Sequence, residues 1–473
     1  MTAPAIERHD AEGFWVAEAG PREDLAPLAG TVDADVLVIG GGYTGLWTAW
    51  QVLALEPEAR VVVLEAGRCG VGPSGRNGGF VNSLWYSLPR LAEVHGTEAA
   101  LTVCRWSAAS VREIGAWCAE QEVDAWYRPA DHLLVSTGPG QDGAWDETTA
   151  AMAAAGVHGE QVALNPSQVQ ARCASRVLRG GAAMPTSATV QPARLALGLR
   201  ERLRARGVAI FESSRVRALR MGGPAAPAVA TTDGGSVRAG AVVVAVNAAA
   251  AGLRPLRGRL TVGSSHMVVT EPVPDVVEAL GWTGGEAISD ERTLLHYTRT
   301  TPDGRIAFGW AGGRMGCGAR LGGKVQVDPE VAQETARRLV RFFPGLAGRR
   351  IVHAWGGPID VSPEHMAAVG SLPGGRAWFA AGYTGNGVGP SHLCGRILAS
   401  LALDRRDEAS RLCLVDPPPG ARVPPEPLRW MGGALIRRAL VRADVAADAG
   451  RRADPLTRFA AALPERMGVH LVR

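Results

Sequence analysis

Hydrophobic positions fall into short unbroken runs, separated by glycine turns and by longer stretches with helical spacing. Val36, Leu37, Val38 and Ile39 form a continuous, mostly β-branched apolar run, the composition of a strand buried on both faces. A glycine turn at 40–42 follows, and a helical pattern then runs from Gly45 through Leu46 to Leu55, stopped by Glu56-Pro57. A second apolar run at 61–64 ends in Glu65. The stretch 91–118 has helical spacing, with Val103, Trp106, Ile114 and Trp117 on one apolar face. Residues 132–136 read as a strand and 142–155 as an alanine-rich helix. Leu195, Leu199 and Leu203 mark a helix ended by Gly207, with a strand at 208–211 and another buried strand at 241–246 after the turn at Asp233-Gly234-Gly235. Strand-rich reading at 259–270 and 293–310 gives way to a helix at 328–343. Finally a short strand from Trp378 enters a turn at 382–387 and a helix through about Leu403.

Gly40, Gly42 and Gly45 fit G-x-G-x-x-G between a strand and a helix. The first glycine permits the tight turn, the second lets backbone approach a pyrophosphate, and the third lets helix pack on strand. The helix start supplies free amides and the positive end of a dipole for phosphates. Glu65, 20 residues beyond Gly45, is placed to accept hydrogen bonds from an adenosine ribose. An acid there favours ribose hydroxyls over a 2′-phosphate, which argues against NADP but does not separate NAD from FAD.

The loop at 70–79 contains Ser74, Gly75, Arg76, Asn77, Gly78 and Gly79, so backbone can pass close to a flat ligand beside a fixed cation and an amide. Here the chain resembles the D-amino-acid-oxidase-like FAD-dependent oxidoreductases, in particular the amine-oxidising branch that includes gamma-glutamylputrescine oxidase. In that branch an S-G-R-N-G-G loop folds over the flavin. A second family element, G-Y-x-G-x-G-V, is matched by Gly382, Tyr383, Gly385, Asn386, Gly387 and Val388, and the resemblance covers about residues 30 to 405. Amides at this second helix start are expected to face the flavin's pyrimidine edge, which gains negative charge on reduction. The resemblance implies FAD held by Gly40, Gly42, Tyr43, Thr44, Gly45, Glu65, Ala66, the loop residues 74–79, Val216, Asn247 and the second turn.

The fold expected is α/β: a Rossmann-type FAD-binding domain at 31–87, 184–253 and 354–415, interleaved with an antiparallel-sheet substrate domain at 88–183 and 254–353. A 1–30 extension precedes them, with Phe14 and Trp15 packed on the body, and a helical tail at 416–473 follows. The tail opens with a proline-rich linker (Pro417, Pro418, Pro419, Pro424, Pro425), has arginine-rich helices at 434–443 and 456–463, and reads as a solvated surface.

Lys+Arg 50 against Asp+Glu 46 leaves a net charge of +4, too small an excess to suggest nucleic acid. Lys324 is the only lysine, so a substrate anion would meet an arginine. Seven cysteines lack C-x-x-C spacing, which argues against a zinc site or a disulfide framework and suits a reducing cytoplasm. The first 30 residues contain no signal-peptide pattern, and the longest apolar stretch, 239–253, falls short of the ~18 residues of a spanning helix. A soluble cytoplasmic protein without a membrane partner is expected, and its oligomeric state is open.

A flavin without a metal motif or nicotinamide site points to oxidation of a C–N bond in an amine or amino acid to an imine, hydrolysed to aldehyde or keto acid. Oxygen as acceptor gives hydrogen peroxide. The alternatives are a dehydrogenase with another acceptor and a flavin monooxygenase. Strand alternation sends His296 and Tyr297 to opposite faces, and Tyr297 is the one expected at the flavin, with Arg299 on its face as an anion clamp. His266 and Trp355 complete the catalytic candidates. Sarcosine-oxidase-like relatives carry an oxygen-activating lysine near the flavin, whereas Lys324 lies in a loop; where some relatives attach flavin through cysteine, this chain has Ala354, so non-covalent FAD is expected.

Overall fold

The run at 36–39 has strand partners on both sides, which is why it does not alternate. In the computed structural model, described for residues 4–223, 226–418 and 420–470, the strand Gly30–Ile39 pairs in parallel with Gly235–Val244 and with Val61–Leu64. Val36 and Val38 point into one core cluster while Leu37 and Ile39 point into another, so both faces must be apolar. Ala209–Phe211 and Ala377–Ala381 extend the parallel part of this eight-stranded sheet. The helices Tyr43–Leu55, Pro192–Ala205 and Val388–Ala402 contribute to the core on the Val36 face. Both glycine turns leave the sheet at the carboxyl ends of parallel strands, after Ile39 and after Ala381, where open α/β sheets bind ligands.

A second eight-stranded sheet forms the roof. Its order is Ile351–Val361, Thr261–Thr270, Ile306–Trp310, His296–Thr300, Ala287–Asp290, His132–Ser136, Gly180–Met184 and Val162–Leu164. All neighbours are antiparallel except Ala287–Asp290 and His132–Ser136, which run parallel. The helix Pro329–Phe342 covers its outer face through Ala332, Ala336, Leu339 and Val340.

Two expected domain boundaries shift. Ile351–Val361 pairs along its length with Thr261–Thr270, so the boundary at 353/354 falls inside a roof strand; the chain returns to the first sheet with Ala368–Ser371. Thr97–Glu120, expected in the substrate domain, shares the core of Tyr43–Leu55 and Val388–Ala402 because Trp117 packs edge-on to Trp47, ring centroids 5.1 Å apart. The N-terminal segment is more than an extension. Its helix Gly13–Glu18 buries Phe14 and Trp15 in a cluster with Trp355, and Ile6 and His9 bridge to Ile351 and Ala354.

The tail helix Leu428–Asp448 is longer than the expected 434–443. Gly432 and Gly433 lie within it, and a Cβ on Gly433 would sit 2.9 Å from Cε of Met315. Of the linker prolines, Pro419 lies outside the described residues. Among the described residues no helix is long and apolar enough to cross a membrane.

Candidate active site

The first turn separates its glycines by what surrounds them. Gly40 has φ +115°, and a Cβ there would sit 2.3 Å from the carbonyl oxygen of Ala245; at Gly45 it would sit 2.0 Å from that of Gly40. These two are enforced by the chain's own backbone. Gly42 has an extended backbone, and a Cβ on it would meet only the Ser74 hydroxyl, at 2.9 Å. Its open side is therefore space for something other than protein. The helix beginning at Tyr43 has its first N–H donated to Ser74 Oγ (2.9 Å), and Thr44 Oγ1 lies 2.7 Å from Tyr383 Oη, joining the first turn to the second. Tyr43 Oη donates to the Pro192 carbonyl. Glu65 accepts from the amides of Gly41 and Gly67, each at 2.7 Å, and burial raises its pKa. Ala66 is exposed beside it, and Val216 packs on the sheet core near Phe211.

The arginine loop is held from three directions. Arg76 is buried and donates from Nη1 to the Ala11 carbonyl at 2.7 Å, while its own carbonyl accepts from Trp355 Nε1 at 2.8 Å. Asn77 folds the loop on itself, donating to the Ser74 carbonyl (2.8 Å) and accepting from Gly79 N–H (2.7 Å). Arg299 donates to the carbonyls of Val190 and Gly79, with its guanidinium 5.6 Å above the Trp15 ring. Among the described residues neither Arg76 nor Arg299 has a carboxylate within ion-pair distance, and burial lowers their pKa values to about 10 and about 9. Two buried cations beside the loop leave it electrostatically incomplete without an anion.

Above the loop, the roof turns Tyr297 inward and His296 outward, as alternation requires. A Cβ on Gly78 would touch the Tyr297 ring at 3.0 Å, and Tyr297 Oη bonds Ser265 Oγ at 2.7 Å; burial pushes the phenol up to about 12. Phe80 stands edge-on to Tyr297 (5.9 Å) and to His132 (5.3 Å), whose Nε2 meets Ser289 Oγ at 2.7 Å. His266 is a correction. It pairs across to Trp310, which pairs in turn to His296, so it belongs to the outer face and cannot join Tyr297. Among the described residues both of its nitrogens are buried without a partner, and burial lowers its pKa to about 4, which makes it a neutral core residue. Trp355 and Arg299 are on the inner side but engaged with backbone carbonyls, so each fastens the loop in this arrangement.

The second turn rests on Asp360, which is 1 % exposed. Its carboxylate accepts from Gly382 N–H at 2.6 Å, from the Tyr383 amide and from Asn247 Nδ2 at 3.0 Å, and its own carbonyl accepts from Thr384 N–H at 3.0 Å. The Asn386 amide donates to the Tyr383 carbonyl at 3.0 Å, and among the described residues the amides of Gly385, Gly387 and Val388 have no hydrogen-bond partner at the start of Val388–Ala402. Burial raises Asp360 to about 6. Asp360, His132, Ser265 and Ser289 were not singled out from sequence; for Asp360 the available signal was a lone acid inside the apolar strand Pro358-Ile359-Asp360-Val361.

The family model described as FAD dependent oxidoreductase (DAO) matches residues 35–401. The chain belongs to that family. It is 29 % identical over 428 residues to gamma-glutamylputrescine oxidoreductase of Escherichia coli (strain K12), covering 89 % of this chain and 96 % of that protein. It is 26 % identical over 438 residues to the probable oxidoreductase OrdL of Rhizobium meliloti (strain 1021), covering 90 % and 94 %. Among solved structures, glycine oxidase from Geobacillus kaustophilus superposes with a TM-score of 0.64 at 20 % identity, over 80 % of this chain and 96 % of that one, a likeness of fold.

The cofactor of this DAO-family enzyme is FAD. The residues present fit it: Gly42 leaves room at the helix start, Glu65 lies at the end of Val61–Leu64, and the uncompensated Arg76 and Arg299 flank the loop. Nearby thiols are poor nucleophiles. Burial pushes Cys394 up to about 12 and raises Cys69 strongly, so both stay protonated. Ala354 offers no thiol and packs in the outer core cluster. Acid precipitation should therefore leave the yellow colour in the supernatant; a yellow pellet would show a covalent bond.

Proposed function

We propose that this enzyme oxidises the C–N bond of a small amine or amino acid to an imine, which water hydrolyses to an aldehyde or keto acid. Bound FAD supplies the two-electron acceptor. The observation that carries the reading is the inward roof wall over the arginine loop, Tyr297 with Ser265 and His132 with Ser289, faced edge-on by Phe80 and beside the buried Arg299. Such a wall orients a small polar molecule and excludes water from it. The Tyr297 phenol, raised to about 12, stays protonated and can donate a hydrogen bond. The 29 % identity to a gamma-glutamylputrescine oxidoreductase supports an amine donor. The free thiols of all seven cysteines suit a cytoplasmic setting.

In this reading oxygen re-oxidises the enzyme and hydrogen peroxide is released. One observation favours a second version, a dehydrogenase: Lys324, the single lysine, is exposed on the turn Gly323–Val325 and is absent from the roof wall. Anaerobic addition of a panel of amines and amino acids should bleach the flavin with at least one of them, whereas NADPH alone should not. Bleaching by NADPH with no response to any amine would refute the proposal in favour of a monooxygenase. Admitting air then separates the two versions. Fast recovery of colour with stoichiometric peroxide supports the oxidase, and slow recovery that a quinone or dye accelerates supports the dehydrogenase.

A further inference from the structure

The helix Leu428–Asp448 is amphipathic the wrong way round for a surface helix. Its inner face is polar: Asp448 pairs with Arg292 and Arg341, Arg437 donates to the carbonyls of Gly312 and Gly313, and Arg429 donates to those of Arg257 and Leu260 at 2.8 Å. These clamps fix which side faces out. The outer stripe, at steps of three and four residues, is Leu428, Met431, Leu435, Arg438, Arg442 and Val445. The four apolar members are 52 to 62 % exposed. Among the described residues, eight of the nine exposed large hydrophobic side chains lie between 428 and 467, so the tail concentrates the exposed apolar surface of the whole molecule.

We infer that this stripe docks the protein on an anionic lipid surface. Exposed Leu, Met and Val interleaved with arginines match a helix lying in a bilayer interface, with its apolar side chains among the acyl chains and its guanidinium groups at the headgroups. The stripe carries no carboxylate, since Asp444 and Asp448 are turned toward the body, where burial raises Asp444 to about 6. A second copy apposed by a two-fold axis would bring Arg438 and Arg442 against their own equivalents with nothing to neutralise them. An anionic headgroup neutralises them directly. The contact is at the surface and does not span the bilayer, which revises the expectation of a merely solvated tail.

The test uses the full-length, FAD-loaded protein in flotation assays. Vesicles of equal parts phosphatidylglycerol and phosphatidylcholine should bind it at least tenfold more tightly than phosphatidylcholine vesicles. Both Met431→Glu/Leu435→Glu and Arg438→Gln/Arg442→Gln should lose that binding while keeping wild-type flavin content and melting temperature, because all four side chains are exposed. Equal binding to the two vesicle types, no binding to either, or retention of binding by both variants would overturn the inference. So would a dimer on gel filtration that Met431→Glu/Leu435→Glu dissociates without any vesicle binding, which would assign the face to a second copy.

Discussion

Gly42→Val should give a protein that folds and melts like FAD-free wild type but purifies almost colourless. The extended backbone at Gly42 accepts a side chain, and the nearest obstacle to a Cβ is the hydroxyl of Ser74 at 2.9 Å, the movable end of a small side chain. The valine methyl groups instead occupy the opening at the start of Tyr43–Leu55, where the pyrophosphate of FAD approaches. Affinity for FAD should fall by at least about a hundredfold, on the order of 3 kcal/mol. Gly45→Val is the contrasting control: its Cβ would meet the Gly40 carbonyl oxygen at 2.0 Å, so it should damage folding itself. Titrating apo-protein with FAD and following flavin fluorescence distinguishes the two. Normal flavin content in Gly42→Val would remove this turn from the cofactor site.

The second large effect is expected at Asp360. Replacing it by leucine strands three donors, the Gly382 and Tyr383 amides and Asn247 Nδ2, in a buried place. At about 1–3 kcal/mol for each unsatisfied group, Asp360→Leu should lose several kcal/mol of stability together with the shape of the second turn. The carboxylate also makes stability depend on pH. Its native pKa, about 6, lies above the ordinary 3.8, so the native state holds its proton more tightly than the unfolded chain does. The contribution is fully present below pH 4 and is lost as pH rises through 6, a change of about 3 kcal/mol. Asp360→Asn, which has no proton to lose, should lack this slope. The difference in unfolding free energy between wild type and Asp360→Asn, measured from pH 4 to 7.5, should fall across that window. A flat difference would mean that Asp360 is not buried with these partners.

What could be read from sequence was what local geometry demands. The run at 36–39, the turns at 40–45 and 382–387, and the acid Glu65 each answer a requirement set within a few residues, so strand, turn and helix start follow from composition alone. Alternation likewise separated His296 from Tyr297. It could not say where His266 would point, because that depends on pairing with Trp310 and Gly356, residues 44 and 90 positions later. Arg299 lies on the same face of its strand as Tyr297, yet its engagement with Val190 and Gly79 depends on a loop brought in from elsewhere. The boundary at 353/354 falls inside a strand for a similar reason: its pairing depends on Gly356 lying close against His266, 90 positions earlier.

The pairing order of the first sheet also sets a timetable for the newborn chain. Gly30–Ile39 gains Val61–Leu64 early but waits for Gly235–Val244 on its other edge, and the sheet grows beyond that edge only when Ala377–Ala381 emerges. At roughly 5–20 residues per second, the 342 residues between Ile39 and Ala381 take about 20–70 s to translate. Ile6 and His9 bridge to Ile351 and Ala354, each made 345 residues later. Until Gly235–Val244 is made, the nascent polypeptide therefore carries an apolar strand with one open edge, mated only to Val61–Leu64, and FAD can reach a finished cradle only after the turn at 382–387 has emerged. Ribosome pausing anywhere in that interval prolongs the exposure, which makes codon usage between 40 and 380 a determinant of soluble yield.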